Sequence, residues 1–188
     1  GVMFALAGGF RLFFYADHLE ELAVEQRDQI ETATAVIRFD ALQISDALRG
    51  VLLDPTSQAE RQRRIAADAH LGKAIESLKA PFSERPDLMR AAEAIRENDN
   101  ARLDKIEIQI LDLAGKDPAA ANALYTGQYL SLRRGQDKLL EEFRALTDRD
   151  VTDRLADARF KRAVALAVFA AADPMGSACY MLTTIRIR

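Results

Sequence analysis

The chain has 188 residues, 49% of them hydrophobic but only 7% aromatic, and its 29 acids against 26 bases leave a formal charge of -3. That length suffices for one domain with a sizeable core, and a composition rich in Ala and Leu with nine Gly and five Pro favours helix packed on helix. Charges of both signs are interspersed with no basic block, which sets nucleic acid aside as a partner, and the single cysteine, Cys179, excludes an intrachain disulfide and a multi-cysteine metal site.

Residues 1–14 carry two apolar runs, Gly1 to Phe10 and Leu12 to Phe14, split by Arg11. Neither reaches the roughly 20 residues that a bilayer needs, and no charged leader precedes them, so they do not read as an intact signal peptide. They read as the outer end of a membrane helix, with an amphipathic first turn of a soluble helix as the alternative.

A first helix is expected from about Tyr15 to Leu53, because Leu19, Leu22, Ile30, Ala33, Ile37, Ile44, Leu48 and Val51 recur at threes and fours. Asp54-Pro55 ends it, since a proline disfavours helical geometry in the residue before it. Thr56 or Ser57 then caps a second helix, about 57–79, with Ile65, Ala69, Leu71, Ile75 and Leu78 as its stripe. Ala80 to Pro86 is a break, and Pro86 suits a first helical turn. The third helix, about 87–114, carries Leu88, Ala92, Ile95, Leu103, Ile106, Ile110 and Leu113, and Gly115 is expected as a left-handed stop. Asp117-Pro118 is the strongest start signal, N-cap followed by a first-turn proline. The fourth helix carries Leu124, Leu132, Leu139, Phe143, Leu146, Val151 and Leu155 and runs into the apolar stretch from Ala163.

The fold class read from this pattern is all-α: an antiparallel up-down-up-down four-helix bundle with long first and fourth helices, its short connections making neighbours antiparallel. Both apolar termini would then emerge at one pole. The domain reading is the end of a first transmembrane helix over 1–14, a bundle over 15–162, and the start of a second transmembrane helix over 163–188. From about Asp173 onward three readings stay open. Asp-Pro-Met-Gly-Ser and the closing Ile-Arg-Ile-Arg resemble translated cloning-site sequence; the stretch also reads as a span kinked at Pro174, or as a soluble extension.

The chain resembles the periplasmic four-helix-bundle sensor domains of bacterial methyl-accepting chemotaxis receptors and related membrane kinases and cyclases. The residues that carry the resemblance are Asp40 to Leu53, Asn98 to Glu107, and Gly115-Lys116-Asp117-Pro118 before an Ala-rich helix start. Arg49-Gly50-Val51-Leu52-Leu53 is also similar to the Arg-Gly-aromatic-Leu-Leu element of CHASE-type sensory domains, with Val51 in the aromatic's place. The resemblance implies a homodimer in the bacterial inner membrane, held through both ends, with the sensor domain in the periplasm and no enzymatic activity or cofactor. It implies a small anionic ligand or a periplasmic binding protein at the membrane-distal part of the bundle, and a signal passed on as displacement of helix four. The alternative is a soluble helical-bundle scaffold without a membrane role.

The ligand-facing positions implied are Arg49 on helix one and Thr126, Gln128 and Tyr129 near the start of helix four. Arg38 joins them as a second arginine about three turns from Arg49 on nearly the same face, because a guanidinium fork matches a carboxylate. Polar residues that interrupt the apolar seams, Gln26 and Asp40 in helix one, Asp99 in helix three and Gln128 in helix four, are expected to set register or dimer contacts. Metal and haem chemistry lack their parts: His18 and His70, the two histidines, belong to no Glu-x-x-His pair. Arg61-Gln62-Arg63-Arg64 reads as a solvated helix face.

Overall fold

Helix follows the apolar periodicity wherever the sequence carries it. The computed structural model describes residues 2–79, 82 and 85–172, with side chains over that range except at 2–7, 9 and 172. Among these residues the chain is all-helical, without a strand. The elements are α1 (Val2–Leu53), α2 (Gln58–Ser77), α3 (Pro86–Asn98), a first π-turn (Asp99–Leu103), α4 (Asp104–Ala114), α5 (Pro118–Leu124), a second π-turn (Tyr125–Tyr129) and α6 (Leu130–Ala172). The tail from Asp173, Cys179 included, lies outside the described residues.

The breaks have local causes. Asp54 accepts from the Thr56 amide at 3.0 Å and its hydroxyl at 2.7 Å, closing a turn around Pro55. Ser57 caps α2 by accepting from the Glu60 amide. Gly50 leaves room for this junction, because a Cβ there would stand 2.6 Å from Glu60 Cγ. Arg85 precedes Pro86 in extended geometry. Gly115 does not adopt the expected left-handed conformation: it sits at φ -90°, ψ -11°, and the amides of Lys116 and Asp117 both turn back to the Leu113 carbonyl. Asp117 then accepts from the Ala120 amide at 3.0 Å with Pro118 behind it. Asp117→Ala should therefore cost about 1 kcal/mol of stability, the usual loss for a capping carboxylate, measured by denaturant unfolding.

Two compact units divide the chain, Gly1–Arg27 with Asp148–Arg188, and Asp28–Thr147. The first has a small-residue core of Ala16, Ala23, Val151, Ala158 and Ala165. Arg162 reaches Glu20 at 3.5 Å and Asp17 at 3.9 Å, and Arg154 donates to Gln26 at 2.9 Å. Beside these lies an aromatic group. Phe10 meets Phe169 edge-on at 5.3 Å, Lys161 sits over Tyr15, and Arg162 over Phe13.

The second unit holds the main core, in which Ile37, Ile44, Leu48, Leu71, Leu88, Ile95, Leu103 and Phe143 are fully buried. Phe82, inside the break between α2 and α3, belongs to this core as well. On α1 the residues at 30, 37, 44 and 51 are buried at every seventh position, a coiled-coil-like seam. The second helix is phased differently from its expected stripe. Ile65 is 52% exposed and Ala69 is exposed, while Arg64, Ala67, Leu71, Ala74, Ile75 and Leu78 face inward.

A buried ionic core at two π-turns as the candidate functional site

Each π-turn adds a residue to its helix and so rotates the turns after it relative to those before it. Before the first π-turn the core face of α3 is Leu88, Ala92 and Ile95; from the last residue of the turn onward the buried positions are Leu103, Glu107, Ile110 and Ala114. The apolar candidates Ile106 and Leu113 are left half-buried. The second π-turn acts likewise: Ala121, Tyr125, Tyr129 and Arg133 succeed one another at fours, and Gln136 comes next. The leucines expected as that stripe, Leu124, Leu132, Leu139 and Leu146, flank it at intermediate burial.

The rotated positions are polar and meet in the second unit. Glu107, 1% exposed, accepts from Arg64 Nε at 2.9 Å and Nη2 at 2.7 Å through Oε2, and from Arg133 Nη2 at 2.8 Å through Oε1. Arg133 donates its Nε to the Tyr129 hydroxyl at 2.9 Å, and that hydroxyl shares a 2.8 Å hydrogen bond with Ser45 Oγ on α1. Arg133 Nη1 has no hydrogen-bond partner and lies 3.9 Å from Asp99 Oδ1. On its other side Arg64 reaches Asp104 at 3.2 Å and Asp68 at 3.8 Å. A neighbouring layer is neutral: Asn98 donates to Gln136 Oε1 at 2.6 Å, and Gln136 donates to the Ile95 carbonyl at 3.3 Å.

Four carboxyls, Asp68, Asp99, Asp104 and Glu107, thus share two guanidiniums. Asp99 and Glu107 are buried while Asp68 and Asp104 are half-buried, and the crowding of acid shows in the proton affinities of Asp99 and Asp104. Burial, with Asp104 and Glu107 adding to it against the pull of Arg133, pushes Asp99 up to about 7. Burial, with Asp68 and Glu107, pushes Asp104 up to about 6. Burial works against the charge of Arg133, but Tyr129, Glu107 and Asp99 outweigh it and hold the guanidinium above its usual value. Asp68, Asp104 and Glu107 each bring one oxygen within 4.8 Å of the others, the spacing of a cation site. The Arg64 guanidinium lies against all three, so the place of the cation is taken by a side chain.

The residues singled out from the sequence divide between core and surface. Tyr129 and Asp99 are in the ionic core, and Tyr125 stacks on Tyr129 at 5.2 Å. Arg49 is largely exposed; it reaches the Tyr125 hydroxyl at 3.5 Å and Asp46 at 3.7 Å. Thr126 is exposed and its hydroxyl turns back to the Asn122 carbonyl. Gln128 is exposed, not on the seam of its helix. Arg38 pairs with Glu141 across from α1 to α6. Asp40 is buried within its own chain, with His70 Nδ1 2.7 Å from its Oδ2, and Gln26 is bonded to Arg154.

Sequence reasoning missed Arg64, Glu107 and Arg133, the three charges at the centre. Arg64 is 8% exposed, not solvated with its neighbours. The signal was present as a defect of phase: Arg64, not Ile65, continues the spacing of Ala67, Leu71, Ala74 and Leu78. The chain matches no protein-family model, and comparison with curated proteins and solved structures finds no significant match.

Proposed function

We propose that the chain is the extracytoplasmic sensing domain of a bacterial transmembrane signalling receptor, a non-enzymatic, homodimeric up-down-up-down bundle of the chemoreceptor type. The observation that carries the reading is the meeting of the apolar ends of α1 and α6. Exposed aromatic rings at Phe10, Phe14 and Phe160 stand there beside Arg11, Lys161 and Arg162, two of these cations in cation–π contact. Aromatic rings beside snorkelling cations are the composition of a membrane–water boundary. No helix among the described residues is long and apolar enough to cross a membrane. On this reading the two ends are the water-side parts of two spans.

The antiparallel arrangement is supported by contacts whose residue numbers run in opposite directions. In α2 and α4, Arg61 reaches Leu111 and Arg64 reaches Glu107; in α1 and α6, Arg38 meets Glu141 and Ser45 meets Tyr129 at the turn leading into α6. A small anion or a binding protein would engage Arg49, whose contacts lead through the stacked tyrosines to Arg133, and the response would be carried along α6. A homodimer is favoured by a stripe on α1 spaced at threes and fours, in which Phe39 is 59% and Leu42 65% exposed, followed by the exposed Asp46–Arg49 pair.

Flotation with phosphatidylethanolamine–phosphatidylglycerol vesicles tests the membrane reading. The chain should rise with lipid, and a Phe10→Ser, Phe14→Ser, Phe160→Ser variant should do so less. A wild-type chain that stays in the lipid-free fraction would defeat the receptor reading and favour the soluble scaffold. Sedimentation velocity should give a dimer that Leu42→Glu converts to monomer without loss of helicity; an unchanged sedimentation coefficient would remove the α1 stripe from the interface.

A further inference from the structure

The polar core sets four carboxyls, Asp99 and Glu107 buried and Asp68 and Asp104 half-buried, against two guanidiniums, and it is built at the two places where the helical ladder is interrupted. We infer that this core is a proton-responsive element: uptake of a proton by Asp99 reduces the excess of carboxylates over guanidiniums and tightens the two π-turns, and its release loosens them. The inference concerns the second unit alone and stands whether or not the chain is membrane-bound.

The geometry leaves Asp99 poorly compensated when ionised. It is 4% exposed, and its nearest cation, Arg133, stands 3.9 Å away with both other nitrogens already committed to Glu107 and Tyr129. From α4 it faces Asp104 and Glu107, and from α2 Asp68, all raising its proton affinity, with Arg64 engaged by those same three acids. From α1, Ser45 meets the cluster through the Tyr129 hydroxyl and brings no charge. Protonation of Asp99 leaves three carboxyls against two guanidiniums, and protonation of Asp104 leaves two against two. Because both acids lie on or next to the first π-turn, with Tyr129 on the second and Arg133 one turn beyond it, the change in charge acts on both interruptions at once.

The direction is set by linkage. An aspartate has an ordinary value near 4 in the unfolded chain, and Asp99 is raised to about 7 in the folded one. Its contribution is therefore fully present at about pH 4 and is lost as pH rises through about 7; Asp104, raised to about 6, adds in the lower part of that window. Between these limits the folded-to-unfolded ratio should fall by up to about tenfold per pH unit for each proton taken up on folding.

Thermal and denaturant unfolding of the full chain between pH 5 and 8.5 tests this. Wild type should be more stable at pH 5.5 than at pH 8. Asp99→Asn, which keeps shape but cannot ionise, should flatten the slope by about one proton and be more stable than wild type at pH 8. A His70→Gln background removes the imidazole that stands 2.7 Å from Asp40, and Asp99→Asn should flatten the slope by the same amount within it. Should Asp99→Asn fold poorly, carbon-13 titration of the wild-type aspartate carboxyls supplies the answer independently: one must titrate near neutrality, with amide protection factors at 99–103 and 125–129 falling above the same midpoint. Stability that increases with pH, an unchanged slope in Asp99→Asn, a slope abolished by His70→Gln, or no carboxyl titrating above pH 5.5 would each overturn the inference.

Discussion

Glu107→Ala should destabilise the protein by about 3–5 kcal/mol, the cost of removing one partner from a buried ion network and leaving the others uncompensated. Against a total stability of roughly 5–15 kcal/mol this is a large share, and it corresponds to a fall in Tm on the order of 10 °C for a chain of this size. The size of the effect comes from position. Glu107 is 1% exposed and accepts three hydrogen bonds from two guanidiniums, so water cannot replace it without opening the core. Glu107→Gln should fare little better, because the amide keeps the shape but sets an N–H donor against cations. The loss should also depend on pH in a telling way. With Glu107 gone, Asp99 and Asp104 lose a repelling neighbour and gain a claim on the freed arginines, so both should ionise more readily. The variant's remaining stability should then change less steeply with pH than that of wild type, or rise with pH. A loss under about 1 kcal/mol by denaturant unfolding would mean that the network is hydrated rather than dry.

The inward face of α1 is legible because it obeys one uninterrupted repeat: Ile30, Ile37, Ile44 and Val51 are apolar and seven apart, and all are buried. The stop at Asp54-Pro55 and the start at Asp117-Pro118 are legible because proline and a capping carboxylate act through the local backbone. What escapes is the phase of the later helices. A pattern search assumes constant rotation per residue, and at Asp99–Leu103 and Tyr125–Tyr129 the rotation changes. Downstream of each, the inward position falls one residue away from the apolar candidate, on Glu107 rather than Ile106 and on Arg133 rather than Leu132. The charges hide the site in a second way. Arg64, Glu107 and Arg133 lie far apart in sequence and each alone is an ordinary surface residue; only together do they offset one another's desolvation. Asp99 is nearer to being legible, as a polar break in an apolar seam, whereas Tyr129 enters only as a position that the family resemblance implies.

Phe82 shows the opposite kind of concealment, an anchor inside a segment that reads as loop, and it carries the other large expected effect. Its ring is 1% exposed and meets that of Phe143 edge-on, at 5.9 Å and 77°. The backbone on either side is held by the Phe82 amide to the Lys79 carbonyl at 3.0 Å and by the Arg85 amide to the Phe82 carbonyl at 2.9 Å. Phe143→Ala should cost about 3–5 kcal/mol, the transfer of a buried ring plus the cavity left in a core that cannot fully collapse. Phe82→Ala should fall in the same range or below it, because a connection can relax where a helix cannot. The double variant should lose less than the sum of the two, by about 0.5–1.5 kcal/mol, since the edge-to-face contact is lost only once. Denaturant unfolding of all four proteins gives the coupling directly. Limited trypsin digestion separates local from global loosening: Phe82→Ala should speed cleavage after Lys79 before the rest of the chain is cut, whereas Phe143→Ala should raise cleavage throughout. Strict additivity, or a connection no more susceptible in Phe82→Ala than in wild type, would mean that the ring fills space without pinning the chain.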